Sequence, residues 1–283
     1  MPDNGYGWKG AELDLDAYLA RIGFDGDRAP TPATLRALHR GHTTSIPFEN
    51  LEIILGRPIL LDLETLQDKL VRRRRGGYCY EHTTLFAAVL ERLGFGLTAL
   101  SARVTLGADG IRPATHAVLR VTAPGDDRVW LCDVGFGGGP LEPIEFADGT
   151  EVVQDGWRFR LERRTGALDT GLWVLHQYGA EGWVDRHTFT LNPQYALDYV
   201  VGSHYVSTSP RSPFTARPFA QRFSAEVHHV LDGTTWTTTR PDGSAETREV
   251  ERSELPKLLA EVFDVPLDPA DAERLGQASP PTR

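Results

Sequence analysis

Arg75-Gly76-Gly77-Tyr78-Cys79-Tyr80-Glu81-His82 sets one of the chain's two cysteines directly behind two glycines and ahead of an apolar run at helical spacing. Leu85, Phe86, Val89, Leu90 and Leu93 recur at steps of three and four, and Gly94 follows as a C′ residue. The spacing predicts a helix with Cys79 near its first turn. There the unpaired backbone N–H groups and the positive end of the helix dipole favour an anion, which promotes the thiolate. Gly76 and Gly77 permit a sharp backbone turn and leave open space beside the sulfur. A free cysteine is more often a buried packing residue; here its neighbours mark Cys79 as a candidate nucleophile.

Upstream, Leu15, Tyr18, Leu19 and Ile22 form one amphipathic face, and Thr31-Pro32 is an N-cap and N1 pair opening a helix through Leu35 and Leu38. A third helix carries Leu63, Leu66 and Leu70. Between them, Ile46-Pro47-Phe48-Glu49-Asn50-Leu51 cannot be helical throughout, because Pro47 pushes the residues before it toward extended geometry.

Downstream of about Leu97 the period changes. Residues 98–106, 117–122 and 129–134 are short β-branched segments separated by turn clusters such as Ala108-Asp109-Gly110 and Pro124-Gly125-Asp126-Asp127. With further strand candidates at 157–161, 173–178 and 183–189, the middle third reads as a small antiparallel barrel or sandwich. After Asn192-Pro193 come strand signals at 227–231 and 234–239 around Asp232-Gly233, a helix near 254–263, and a tail after Gly276 whose composition predicts disorder.

The 283 residues, 40% of them hydrophobic, suffice for two or three packed domains. The first residues lack a signal-peptide pattern and no run of about 18 apolar residues occurs, so a soluble cytoplasmic protein is expected, with no membrane partner. Cys79 at a helix start and Cys132 in a strand-like run are not expected to pair. The net charge of -9 argues against a general nucleic-acid binder. The run Arg72-Arg73-Arg74-Arg75 reads as a solvated or salt-bridged helix end.

A cysteine nucleophile in acyl transfer needs an imidazole to take its proton and a third group to orient that imidazole. His116 opens one strand and Asp133 closes the next, so a hairpin through Gly125-Asp126-Asp127 brings them together at one end. Asp133 interrupts the apolar run of Val129, Leu131 and Val134, and a buried carboxylate needs a partner. His82 is a rival base three residues past Cys79, although an i,i+3 neighbour has little freedom to swing between nucleophile and leaving group. Glu81 reads as a first-turn carboxylate paired with Arg75, and Cys132 as packing on the opposite sheet face from Asp133. No metal is expected: there is no Cys-x-x-Cys or His-Glu-x-x-His, and His228-His229 in a strand points two ways. Gly135-Phe136-Gly137-Gly138-Gly139 is neither a P-loop nor a dinucleotide fingerprint; it is either a flexible turn or a place where a phosphorylated ligand approaches the backbone.

Together, Ile46-Pro47-Phe48-Glu49-Asn50-Leu51, Arg75-Gly76-Gly77-Tyr78-Cys79-Tyr80-Glu81, Thr115-His116 and Asp133-Val134-Gly135-Phe136-Gly137 resemble the arylamine N-acetyltransferase family. The likeness covers nearly the whole chain and continues more weakly through residues 203–210 and Phe214. It implies an α+β multidomain fold: a helical bundle over 1–95 carrying the nucleophile, an antiparallel β-barrel over 96–191 carrying the histidine and aspartate, and an α/β lid over 192–283. It also implies a cysteine-protease-like triad of Cys79, His116 and Asp133. Acetyl-coenzyme A would acylate Cys79 in a ping-pong cycle and an arylamine or hydrazine would accept the acetyl group. The resemblance places the coenzyme near Val104, Thr115, Gly135, Phe136, Gly137, Thr208 and Phe214, with His229 a further contact. Tyr80, where phenylalanine is common, would add a hydroxyl to the pocket wall. Two other readings share the same residues: an amide synthase of the polyketide type, fed by a carrier protein and releasing a macrolactam, and a papain-like or transglutaminase-like hydrolase, against which the Gly-Phe-Gly block and the helical first third argue. A non-catalytic binding module on the same scaffold would not need an intact triad.

Overall fold

The computed structural model describes residues 7–106, 110–166 and 171–277 of the chain. The turn expected at Ala108-Asp109, residues 1–5 and the tail beyond Gln277 lie outside them. Helix α1 (Leu15–Arg21) starts at Asp14, whose carboxylate accepts the Ala17 N–H, and α2 (Pro32–Ser45) starts at Thr31, whose hydroxyl accepts the Thr34 N–H. Each cap satisfies one of the donors that a helix start leaves unpaired. After a four-residue α3 (Leu51–Ile54), α4 (Leu63–Leu66) runs on as a π-helical turn over Gln67–Arg72. Leu63, Leu66 and Leu70 are buried as their spacing predicts, although the helix widens after Leu66.

Helix α5 (Cys79–Leu93) begins at Cys79 itself and ends at Gly94, whose φ of 91° is the left-handed C′ geometry that glycine adopts freely. Every residue from Cys79 to Leu90 is buried, so α5 is a central helix packed on all sides. Its first-turn Glu81 accepts the Tyr78 N–H (3.0 Å) and pairs with the buried Lys69 (2.7 Å). That corrects the Arg75 pairing: Arg75 is committed to Glu49 (2.8 Å) and Glu52 (3.2 Å). Arg72 and Arg73 both meet Asp68, so that end of the basic run is salt-bridged.

Strands β2 (Gly96–Val104), β3 (His116–Thr122), β4 (Val129–Cys132), β5 (Ile144–Glu145), β6 (Thr150–Gln154), β7 (Trp157–Thr165), β8 (Gly171–Gly179) and β9 (Gly182–Phe189) form one antiparallel sheet. Their order is β5-β4-β3-β2-β9-β8-β7-β6. The edges β5 and β6 are consecutive in the chain and approach one another, so the sheet curls into a nearly closed barrel rather than a sandwich. Alternation supplies its filling: β7 turns Trp157, Phe159 and Leu161 inward, where they meet Leu100, Val118, Leu131 and Leu175. Each such side chain contributes about 1.5–3 kcal/mol by leaving water.

The final region comprises α6 (Ala196–Thr208), β10 (Phe219–Phe223), β11 (His228–Asp232), β12 (Thr235–Thr239), β13 (Ala245–Glu249), α7 (Leu255–Glu261) and α8 (Pro269–Gln277). Gln277, read as the start of the tail, is thus the last residue of α8. The segment that Pro47 keeps extended supplies β1 (Phe48–Glu49), which joins β10 at the edge of the sheet β1-β10-β11-β12-β13. Asn50 secures the joint. Its side-chain N–H groups donate to the carbonyls of Phe214 (2.8 Å) and Arg217 (2.9 Å), and its oxygen accepts the Phe219 N–H (2.7 Å).

Candidate active site

The N-terminus of α5 meets one end of the β3–β4 hairpin. In that hairpin Leu119 lies opposite Cys132, so one step further Val118 falls opposite Asp133, and His116 is a diagonal neighbour on the same face rather than the residue directly across. The imidazole spans the diagonal: His116 Nε2 lies 2.9 Å from Asp133 Oδ1. Cys79 Sγ lies 3.6 Å from the Thr115 carbonyl oxygen, and the Cys79 side chain is near enough to the His116 ring to favour its protonated form. With Nε2 committed to Asp133, Nδ1 is the nitrogen left for the sulfur. Gly135 permits the close approach. A Cβ there would stand 2.9 Å from both the Cα and the carbonyl oxygen of Cys79.

Asp133 is held by two further histidines that sequence reasoning did not single out. His187 Nε2 lies 2.9 Å from Asp133 Oδ2. The Asp133 backbone N–H donates to His39 Nε2 (3.2 Å), and His39 Nδ1 faces the Leu141 carbonyl oxygen (3.0 Å). Burial pushes the Asp133 carboxyl up, but His116 and His187 outweigh it and hold the group well below the usual carboxylate range. Burial likewise opposes a charged His116, yet the Asp133 charge and hydrogen bond, with Cys79 adding to them, raise it to about 10. For His187 burial prevails over the same carboxylate and lowers it to about 4. Of the two imidazoles on the carboxylate, His116 therefore takes the positive charge.

His82 does not serve Cys79. Its Nε2 faces the carbonyl oxygens of Gly77 (3.0 Å) and Pro47 (3.2 Å), its Nδ1 lies 2.8 Å from His42 Nε2, and burial lowers it to about 4. Among the described residues, the one cluster of three metal-capable side chains is His116, Asp133 and His187, whose facing atoms are already each other's hydrogen-bond partners. Also among the described residues, no helix is long and apolar enough to cross a membrane.

A cavity of about 910 Å³ opens on Cys79 and His116. Of the residues proposed to meet the coenzyme, Val104, Thr115, Gly135, Phe136 and Phe214 line this cavity, whereas Gly137 and Thr208 are not among its lining residues. Gly137 sits behind the wall against Gln221 and Phe48, and the Thr208 hydroxyl donates to the His204 carbonyl (2.6 Å) within α6. Strand alternation also exchanges the two histidines of β11. His228 lines the cavity, while His229 turns away toward Trp236 and Phe263. Tyr80 is 1% exposed and places its hydroxyl against Gly202 of α6, not on the cavity wall.

A model of the N-acetyltransferase family matches residues 31–272. The arylamine N-acetyltransferase of Mycolicibacterium smegmatis is 45% identical over 207 residues, 71% of this chain and 74% of its own. The crystal structure of the Nocardia farcinica arylamine N-acetyltransferase superposes with a TM-score of 0.95 at 64% identity, covering 99% of each chain. The structure of the Mycobacterium marinum arylamine N-acetyltransferase in complex with CoA gives a TM-score of 0.86 at 34% identity, covering 93% of this chain and 98% of its own.

Proposed function

The chain belongs to the arylamine N-acetyltransferase family, and on that premise we propose that it moves an acetyl group from acetyl-coenzyme A to arylamines and hydrazines through an acetyl-Cys79 intermediate. The observation that carries this reading is the convergence of Cys79, His116 and Asp133, with Cys79 and His116 opening onto a cavity whose walls are largely aromatic and aliphatic and Asp133 buried behind them. Cys79 sulfur attacks the thioester carbonyl, the tetrahedral oxyanion collapses, and the coenzyme A sulfur leaves and takes up a proton from His116. The Cys79 backbone N–H, in the unpaired first turn of α5, is suited to steady the oxyanion. In the second half the amine attacks the acetyl-cysteine, His116 accepts its proton, and Cys79 is released. Asp133 keeps the His116 ring turned so that Nδ1 faces the sulfur.

Phe48, Phe136, Phe214 and Phe219 offer flat apolar surface for an aryl ring, and Arg112, Arg211 and Arg217 line the cavity beside them. Those guanidinium groups suit coenzyme phosphates, with the pantetheine arm passing Val104, Thr115, Gly135, Phe136 and Phe214. Both cysteines are free, in keeping with a reducing compartment, and we place the protein in the cytoplasm.

Intact-protein mass spectrometry tests the reading directly. Mixing with acetyl-coenzyme A should add one acetyl group to the wild type and none to Cys79→Ala, and an aminobenzoate should then remove it. A wild-type protein whose thiol alkylates readily but takes no acetyl group from the free thioester would replace this reading with a carrier-dependent amide synthase.

A further inference from the structure

β9 carries a bulge beside the reaction centre. Leu175 of β8 pairs with His187 while His176 pairs with Asp185, so Arg186 is an extra residue without a partner in the ladder. Consecutive side chains of a regular strand point to opposite faces; at the bulge both Arg186 and His187 are buried and face the same centre. The Arg186 guanidinium lies 3.9 Å from the Phe136 ring centroid and donates to the carbonyls of Gly138 (2.8 Å) and Gly139 (2.9 Å). Phe136 in turn stands edge-on to His116 at 5.3 Å. His187 reaches the Asp133 oxygen that His116 does not use, and its ring centroid is 5.0 Å from that of His116.

We infer that His187 is a positioning residue for acyl transfer: by holding Oδ2 of Asp133 it keeps Oδ1 on His116 Nε2, and thereby His116 Nδ1 on Cys79. The inference rests on Cys79 and His116 being the reacting pair. A carboxylate held through one oxygen can turn about its Cβ–Cγ bond, whereas one imidazole on each oxygen fixes its plane. His39 on the Asp133 backbone N–H fixes the main chain as well.

The two imidazoles on this carboxylate are not equivalent. His187 Nδ1 is buried with no hydrogen-bond partner among the described residues. Protonating it would bury an unpaired N–H and a second positive charge beside Arg186, so His187 stays a neutral donor. The groups facing it are Asp133, His116 and Arg186, with the rings of Phe136 and Phe189 closing the site. His116 has the thiol of Cys79 at its other nitrogen and can carry the charge. The bulge therefore determines which imidazole becomes the acid.

The test compares His187→Gln with His187→Met, side chains of similar length of which only the first can donate to Asp133. Iodoacetamide alkylation of Cys79 is followed across pH together with steady-state acetylation, on protein whose fold is checked by thermal melting. The Met variant should lose roughly tenfold to a hundredfold in kcat with KM little changed, the scale of one hydrogen bond to a charged group. Its alkylation profile should have the acid limb moved to higher pH, and the Gln variant should restore both. Matching behaviour of Met and Gln, or a wild-type alkylation profile in Met, would overturn the inference. If Met does not fold, Gln decides alone: a retained profile supports the donor role and a displaced one refutes it. Because alkylation needs no acetyl donor, a failure of the acetyltransferase reading would appear separately, as a wild type that alkylates but does not acetylate.

Discussion

Tyr18, His42 and His82 form a chain, whereas His39, His116 and His187 converge on Asp133, and Phe86 of α5 packs against a histidine of each set. In the chain each proton has a forced place. The carbonyls of Gly77 and Pro47 can only accept, so His82 Nε2 carries a hydrogen, His42 Nε2 donates to His82 Nδ1, and the Tyr18 hydroxyl donates to His42 Nδ1 at 2.9 Å. Burial does not separate the two regions, because His42, His82, His116 and His187 are all at most 3% exposed. What separates them is a carboxylate. Burial takes His82 down to about 4 and His42 well below its ordinary value, while Asp133 lifts His116 to about 10. A buried imidazole becomes a proton carrier only where a charge stabilises its protonated form; otherwise it is a shaped hydrogen-bonding piece of the core.

Removing that carboxylate should break the contrast most severely. Asp133→Asn should lower turnover by roughly 10³–10⁴ by leaving His116 misoriented and without its counter-charge. The same substitution should alter stability against pH. A group raised from about 6.5 when unfolded to about 10 when folded contributes stability that is complete below the unfolded value and lost as pH rises through the folded one. The wild type should therefore weaken toward denaturant between about pH 6.5 and 10, and Asp133→Asn should weaken far less over that interval. A turnover loss under about tenfold, or parallel stability curves, would remove Asp133 from the role.

The contrast also explains how much of the site could be read along the chain. Cys79 was legible because a helix start, its glycines and its apolar period are all local. His116 and Asp133 were legible because a hairpin is the shortest route by which two strands meet, although the register makes them diagonal neighbours. His39 and His187 come from α2 and β9, 94 and 54 residues from Asp133. Their signal was weaker but present: His39 and His42 lie within the buried stripe of α2 with Leu35 and Leu38, and Arg186-His187 are two consecutive buried polar residues in a strand. Polar residues at core positions ask for a partner without saying where it is. In the fold, six of the eight barrel strands and α5 followed from period, while the short β5 and β6 and the edge strand β1 did not: Pro47 shows that the β1 segment is extended, and only the long-range pairing with β10 makes it a strand.

Moving the reacting pair apart while leaving both partners in place sharpens the comparison by a smaller step. In Gly135→Ala the new methyl group would press on the main chain of Cys79, which cannot move aside as a flexible side chain would. The cost should be about 1–3 kcal/mol of stability, with turnover down on the order of a hundredfold from displaced sulfur–imidazole geometry. The Tyr18–His42–His82 chain is untouched by this change, so the melt should stay cooperative. Turnover within twofold of wild type would show that the approach of the Gly135 loop to α5 is incidental to the chemistry.

The smallest effect is expected from the chain itself. Tyr18→Phe removes the one donor to His42 Nδ1 among the described residues and leaves a buried acceptor unpaired, at about 1–3 kcal/mol of stability. His82 keeps its carbonyl partners, Asp133 keeps its three histidines, and Cys79 keeps His116. Both kcat and the acid limb of Cys79 alkylation should therefore match the wild type at any temperature where the variant is folded. A displaced acid limb would mean that the chain passes its protonation state to Cys79 through the first turn of α5, and the two regions would have to be treated as one titrating system. The Asp133 variant cannot make that distinction, because it disturbs His116 directly, whereas a hydroxyl deleted at the far end of the chain reaches Cys79 only if the chain conducts.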